Sequence, residues 1–288
     1  MSILFKSAVL MLLLGCSANL RAATSINPTN KHAYGANVGW MDLRGNTNNG
    51  VVIGEFLCSG FLYAANVGWI HLGSNAPANG IQYQNSSGTD YGVNHDGQGN
   101  LRGFAYGANI GWVNFESNGA PRVDLKTGRF HGSVYSANCG WISLSNAFGL
   151  VKTDTIPGGA DVNANGLPDA WERTYFGGLG VNPAADADGD GMSNKAEYLA
   201  GTNPTNALNN LRITQLDGPR AGGGISLTWS SVPIRCYLIQ ETRDVTSGWF
   251  DSGLGLVAPG GSLTTRSFTG AGGPEGFYRV EAVRPLAP

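Results

Sequence analysis

One decapeptide pattern occurs four times in this chain, and it limits the fold more than any other feature. It reads Tyr34-Gly-Ala-Asn-Val-Gly-Trp-Met-Asp-Leu43, then Tyr63-Ala-Ala-Asn-Val-Gly-Trp-Ile-His-Leu72. It returns as Tyr106-Gly-Ala-Asn-Ile-Gly-Trp-Val-Asn-Phe115 and Tyr135-Ser-Ala-Asn-Cys-Gly-Trp-Ile-Ser-Leu144. Each copy is one supersecondary unit that buries little alone, so the copies must pack on one another. The tryptophans Trp40, Trp69, Trp112 and Trp141 are 29, 43 and 29 residues apart. Copies one and three, and two and four, are therefore each 72 apart, the mark of a duplicated pair.

Each unit reads as a three-stranded meander. A leading strand such as Arg122–Lys126 turns at Thr127-Gly128 into Arg129–Tyr135. Ala-Asn-x-Gly then reverses the chain, because Asn tolerates positive φ and Gly adopts it freely. Gly60, Gly103 and Gly132 each sit three before their Tyr, while the first unit has Lys31 there and is atypical. Residues 26–150 form one all-β repeat domain on this reading. Strand alternation puts Met41/Leu43, Ile70/Leu72, Val113/Phe115 and Ile142/Leu144 on a core face. Trp shares the other face with Asp42, His71, Asn114 or Ser143. Two readings follow for Tyr34, Trp40, Tyr63, Trp69, Tyr106, Trp112, Tyr135 and Trp141. They form a second internal layer between units, with Asn capping its own turn, or an exposed aromatic platform of the kind that holds sugars. The fixed turn residues favour the internal layer, since the fold alone explains them.

The N-terminus has one Lys6 and then a short apolar run to Gly15, the shape of a signal peptide over residues 1–23. No segment is long and apolar enough for a transmembrane span. Leu13-Leu14-Gly15-Cys16 is also a candidate lipobox that would anchor the chain through Cys16. Cys58, Cys139 and Cys236 match no zinc or redox spacing. A Cys58–Cys139 bridge is conceivable after export, but buried free thiols are the favoured reading. Net charge is −2 and charged residues are only 13% of the chain, so no basic footprint for nucleic acid exists.

Composition changes after Val151. Pro157-Gly-Gly-Ala160 is a linker, and an acidic stretch follows. Asp161-Val-Asn-Ala-Asn-Gly-Leu-Pro-Asp-Ala-Trp-Glu172 and Asp186-Ala-Asp-Gly-Asp-Gly-Met-Ser-Asn-Lys-Ala-Glu197 have the alternation of a calcium loop. The expected ligands are Asp161, Asn163, Asn165, Asp169 and Glu172 with the Leu167 carbonyl. In the second loop they are Asp186, Asp188, Asp190, Asn194 and Glu197 with the Met192 carbonyl. A hard cation takes six to eight oxygens, and the final Glu can chelate with both of its own. The Gly- and Pro-rich entry leaves no room for an incoming helix; short helices follow each loop, at about Pro168–Phe176 and Asn194–Ala200. Loop-then-helix over Asp161–Pro204 resembles bacterial thrombospondin type-3-like repeats. That resemblance implies calcium (Ca2+) as the cofactor and a stiff, exported spacer. Asn at positions 3 and 5 lowers the charge of the first loop and implies weaker binding there.

The remainder, residues 208–288, reads as short strands with Gly/Pro turns, a small β-sandwich. Ile225-Ser-Leu-Thr-Trp229, Cys236–Glu241 and Phe277–Val283 resemble a fibronectin type III-like sandwich, which implies packing or presentation. The fold class is thus mainly β: a repeat domain, a calcium loop–helix pair over 158–204, and a C-terminal sandwich. His32, His71, His95 and His131 form no metal motif, and no nucleophile elbow or phosphate loop occurs. Glu55, Glu116 and Asp124 are the acidic residues a glycosidase pair would have to use. The expectation is an exported, non-enzymatic, calcium-binding structural or adhesive protein, secreted or at the cell surface. Its expected partners are polysaccharide, other surface proteins or further copies of itself. The alternative is a carbohydrate-binding protein using the repeated Trp/Tyr face.

Overall fold

Four hairpins built from the decapeptides close on themselves. In a computed structural model that describes residues 24–218, 224–270 and 276–288, the chain is mainly β. The expected signal peptide and Cys16 lie outside the described residues. The barrel strands are β1 (Ile26–Gly35), β2 (Gly39–Asp42), β3 (Cys58–Ala64), β4 (Gly68–Gly73), β5 (Leu101–Gly107), β6 (Gly111–Asn114), β7 (Ser133–Ser136) and β8 (Gly140–Ser143). Each pairs antiparallel with the next, and β8 pairs back to β1 through Tyr34↔Ser143 and Gly35↔Ile142. Closure removes the edges of the sheet. Eight strands leave just enough interior for side chains. Ala33, Met41, Leu62, Ile70, Ala105, Val113, Val134 and Ile142 fill it, leaving a void of about 20 Å³.

The recurrent Asn does not cap its own turn, which corrects the sequence expectation. The positive φ falls on Gly39, Gly68, Gly111 and Gly140 alone. The amides reach sideways instead. Asn66 Nδ2 donates to the Val38 carbonyl, Asn109 to Val67, Asn138 to Ile110 and Asn37 to Cys139, each at 3.1 Å. Four bonds make a ring that links every unit to its neighbour at one end of the barrel. Gly60, Gly103 and Gly132 are explained at the other end. Their φ values are +88°, +102° and +81°, and a Cβ there would lie 2.2–2.4 Å from the carbonyls of Gly50, Gly92, Gly119 or Ala120. Here the leading strands Val52–Ile53, Val93–His95 and Arg122–Val123 form a second tier of short ribbons. The first unit takes its leading strand from the far end of the domain, because Val151–Thr153 pairs with β1. That exchange is why copy one is atypical in sequence. Cys58, Cys139 and Cys236 are buried and free, so the Cys58–Cys139 bridge does not form.

Two short helices follow, α1 (Asp169–Phe176) and α2 (Asn194–Ala200), each ended by a left-handed glycine, Gly177 and Gly201. Leu167, Trp171 and Tyr198 form their small core, with Phe56 of the barrel packed against it. The last part is a two-sheet sandwich. Strands β9 (Ile213–Asp217), β10 (Gly224–Ser230) and β13 (Leu263–Thr269) form one sheet; β12 (Phe250–Asp251), β11 (Cys236–Thr242) and β14 (Phe277–Val283) form the other. Trp229, Tyr237, Leu227 and Ile239 sit between them.

All three parts meet at Glu55. Its carboxylate pairs with Arg235 at 3.0 Å and Arg284 at 3.2 Å, and accepts the Tyr198 hydroxyl at 3.0 Å. Arg235 also donates to the Tyr198 and Leu199 carbonyls at the end of α2, at 2.6 and 2.8 Å. His95 is buried beside this cluster. The Gly99 N–H donates to its Nε2, so Nδ1 carries the proton and donates to the Gly54 carbonyl at 2.8 Å. Burial lowers its pKa, although Asp96 and Glu55 favour the charged form; Arg235 and Arg284 face it across a small gap. The sign follows from linkage. Below the ordinary value of 6.5 the unfolded chain takes up a proton that the folded one refuses, so stability falls as pH falls through that window. His95 by itself therefore lowers the melting temperature at pH 5.5 relative to pH 7.5, and His95→Gln should remove that contribution from the slope. An unchanged slope in that variant would remove His95 from the account.

Candidate functional sites

The second acidic loop divides its carboxylate oxygens between turn bonds and the loop's interior. Asp186 accepts the Gly189 and Gly191 N–H groups, Asp188 Oδ1 the Asp190 N–H, and Asp190 Oδ1 the Met192 N–H. These turn bonds aim the remaining oxygens inward. The carboxylate oxygens of Asp186, Asp188 and Asp190 lie within 4.8 Å of one another. Asp188 Oδ2, Asp190 Oδ2, Asn194 Oδ1 and Glu197 Oε2 are buried with no hydrogen-bond partner. Glu197 is fully buried and Asn194 nearly so, both on α2, whose N-cap Ser193 accepts the Ala196 N–H. Burial, with Asp188 and Asp190 adding to it, pushes the Glu197 carboxyl up to about 7. Unpaired buried oxygens of like charge cost several kcal/mol each unless a cation or donor satisfies them, to an order of magnitude. The donor set is all oxygen and suits a hard cation such as calcium.

The first loop folds on the same turns with different partners. Asp161 accepts the Asn165 and Gly166 N–H groups at 3.1 and 2.8 Å. Asp169 accepts the Val162 N–H at 2.9 Å. Asn163 Nδ2 donates to Glu172 Oε2 at 3.2 Å, and Asn165 Nδ2 to Oε1 at 3.0 Å. The Gly180 and Val181 N–H groups complete Oε1 at 2.9 and 2.8 Å. Leu167 is wholly buried in the helix core, and Lys195 of α2 donates to the Gly166 carbonyl.

The repeated aromatics form a belt on the outside of the barrel. Each Tyr is registered against its Trp across the hairpin, with ring centroids 4.9–5.1 Å apart. The tryptophans are 45–51% exposed, so the internal-layer expectation is corrected. The barrel interior is already filled by the opposite face, which leaves the aromatic face no second sheet to cover it. One edge of each Trp does rest on the preceding unit. Trp69 lies over Gly45, Trp141 over Gly119 and Trp40 over Gly149, where any side chain would collide, and Tyr91 stands edge-on to Trp112 at 5.0 Å. Asp42, His71, Asn114 and Ser143 each sit beside the Tyr of the next unit. Two clefts open along the belt. One of about 550 Å³ joins Trp40 to Asn30, His32 and Asn146, and one of about 350 Å³ joins Trp112 to Asn85, Ser87, Tyr91 and Phe104. Tyr91 and Phe104 fall outside the decapeptide and went unnoticed in the sequence.

The three acidic residues of interest elsewhere are engaged structurally. Glu55 holds the arginine cluster, Glu116 accepts the Gly103 N–H, and Asp124 caps the Lys126–Thr127 turn. Among the described residues no helix is long and apolar enough to cross a membrane.

Residues 186–207 match the family model for the bacterial TSP3 repeat. The match covers the second loop and α2, where the unpaired oxygens lie. No curated protein and no solved structure matches the chain. The matched segment is of calcium-binding, extracellular type.

Proposed function

We propose that this is an exported, non-enzymatic structural and adhesive protein whose parts are held together by calcium in the second loop, through Asp186, Asp188, Asp190, Asn194, Glu197 and the Met192 carbonyl. The observation that carries the reading is the set of four partnerless buried oxygens around Glu197. A divalent cation supplies there the positive charge that no side chain provides, and no chemical step is required of it. The Glu55 cluster then joins the calcium helix to the barrel and the sandwich. The test is thermal melting in calcium and in chelator; superimposed curves would remove the reading.

The exposed belt favours a second role for the barrel, the holding of polysaccharide. A Trp face half open to solvent beside amides and hydroxyls stacks on a sugar ring and bonds its hydroxyls. Four equivalent pairs gain through avidity on a repeating chain. Trp112→Ala should cost about 2–3 kcal/mol of stability, from the apolar area its half-buried ring covers and its contacts with Tyr91, Phe104 and Tyr106. It should weaken retention in a polysaccharide-containing gel, three of the four pairs remaining, while the far-ultraviolet spectrum stays unchanged. Collapse of the fold instead would mark the belt as structural glue.

A further inference from the structure

The two loops share spacing but treat their last glutamate in opposite ways. A carboxylate buried at position 12 must be compensated, either by a cation or by N–H donors. In the second loop Glu197 Oε2 faces further carboxylate oxygens and lacks a partner. In the first, both Glu172 oxygens are satisfied, by Asn163 and Asn165 amides and two backbone N–H groups. Asn and Asp have the same shape, yet Asn presents an N–H₂ donor where Asp presents an oxygen. The amides are fixed in that sense. Asn163 Oδ1 accepts the Asn165 N–H at 3.1 Å, and Asn165 Oδ1 accepts the Leu167 N–H at 2.8 Å. Turning either amide to offer its oxygen inward would break a turn bond and set that oxygen against the Glu172 carboxylate. An N–H₂ group cannot ligate a cation.

We propose that the first loop is closed by these amides in the cation's place, so that the chain binds a single calcium, in the second loop. The inference rests on the calcium reading of that second loop. The first loop thus folds without metal and gives the second a preformed partner.

Calcium chloride titrated into the full chain by calorimetry tests this directly. One ion per chain is expected, and Glu172→Gln should leave that number unchanged. Two ions per chain would overturn the inference and leave the calcium reading standing; none would overturn the calcium reading itself. The double variant Asn163→Asp, Asn165→Asp restores inward oxygens and should raise the number to two. A number that stays at one, with the helical spectrum intact, would overturn the amide account.

Discussion

Glu55→Ala is expected to destabilise the chain by about 3–5 kcal/mol, the range found when one partner of a buried ion pair is removed. Arg235 is almost wholly buried and Arg284 largely so, and both would keep their charge with no counter-ion. Arg235 retains only neutral carbonyl acceptors, those of Tyr198 and Leu199 at the end of α2 and its neighbour Ile234, and Tyr198 loses its acceptor. The loss falls on the junction of three parts rather than on one core. Urea unfolding followed by Trp fluorescence should therefore show one coupled transition in the parent and separate transitions in the variant. Replacing the whole cluster, Glu55→Leu with Arg235→Met and Arg284→Met, should recover much of the loss, because well-packed apolar groups avoid desolvation. A loss below about 1 kcal/mol in Glu55→Ala would place the junction elsewhere, in the range of a solvent-screened pair.

How much of this was legible in the sequence depends on the range of the interaction. The core face of each hairpin follows from alternation, and Met41, Ile70, Val113 and Ile142 are indeed buried. Both helices and their glycine stops were read from local signals. The outward face was read correctly as a face, but its burial was not. Whether Trp69 meets water depends on the sheet closing into a barrel, and no single unit encodes that. The repeated Asn drew attention to its own turn because turn chemistry is local; its partner lies one unit away, 28 residues in the case of Asn66 and Val38. The first unit's missing strand is supplied from Val151–Thr153, more than a hundred residues on. Glu55 stood out in the sequence only as a candidate glycosidase acid and gave no signal of its junction role, since its side-chain partners follow it by 143 residues or more. In the calcium loops the spacing was plain. The direction of the Asn163 and Asn165 amides was not, because spacing does not distinguish a donor from an acceptor.

Calcium at 10 mM should stabilise the loop–helix segment by about 2.7 kcal/mol, taking an extracellular-type dissociation constant near 10⁻⁴ M and hence about a hundredfold excess. The effect should spread beyond the loop. Glu197 is one of the proposed ligands and its neighbour Tyr198 touches Glu55, so ordering of α2 would also order the junction. Trp171 packs 5.8 Å from Tyr198 and reports on that helix by fluorescence. With chelator, its transition should move to lower temperature, and the barrel and sandwich should follow because Arg235 loses its carbonyl anchors. Glu197→Gln keeps the shape but removes a charge and replaces one oxygen with an N–H₂ donor, and should weaken calcium by about a hundredfold, the upper end of what loss of even an outer partner costs. At 10 mM its melting curve should then move little between calcium and chelator. Magnesium at equal concentration controls for screening, as it demands a tighter octahedral shell than this open loop offers. A calcium shift that persists undiminished in Glu197→Gln would mean the stabilising ion sits outside the second loop, and the partnerless oxygens would then require another explanation.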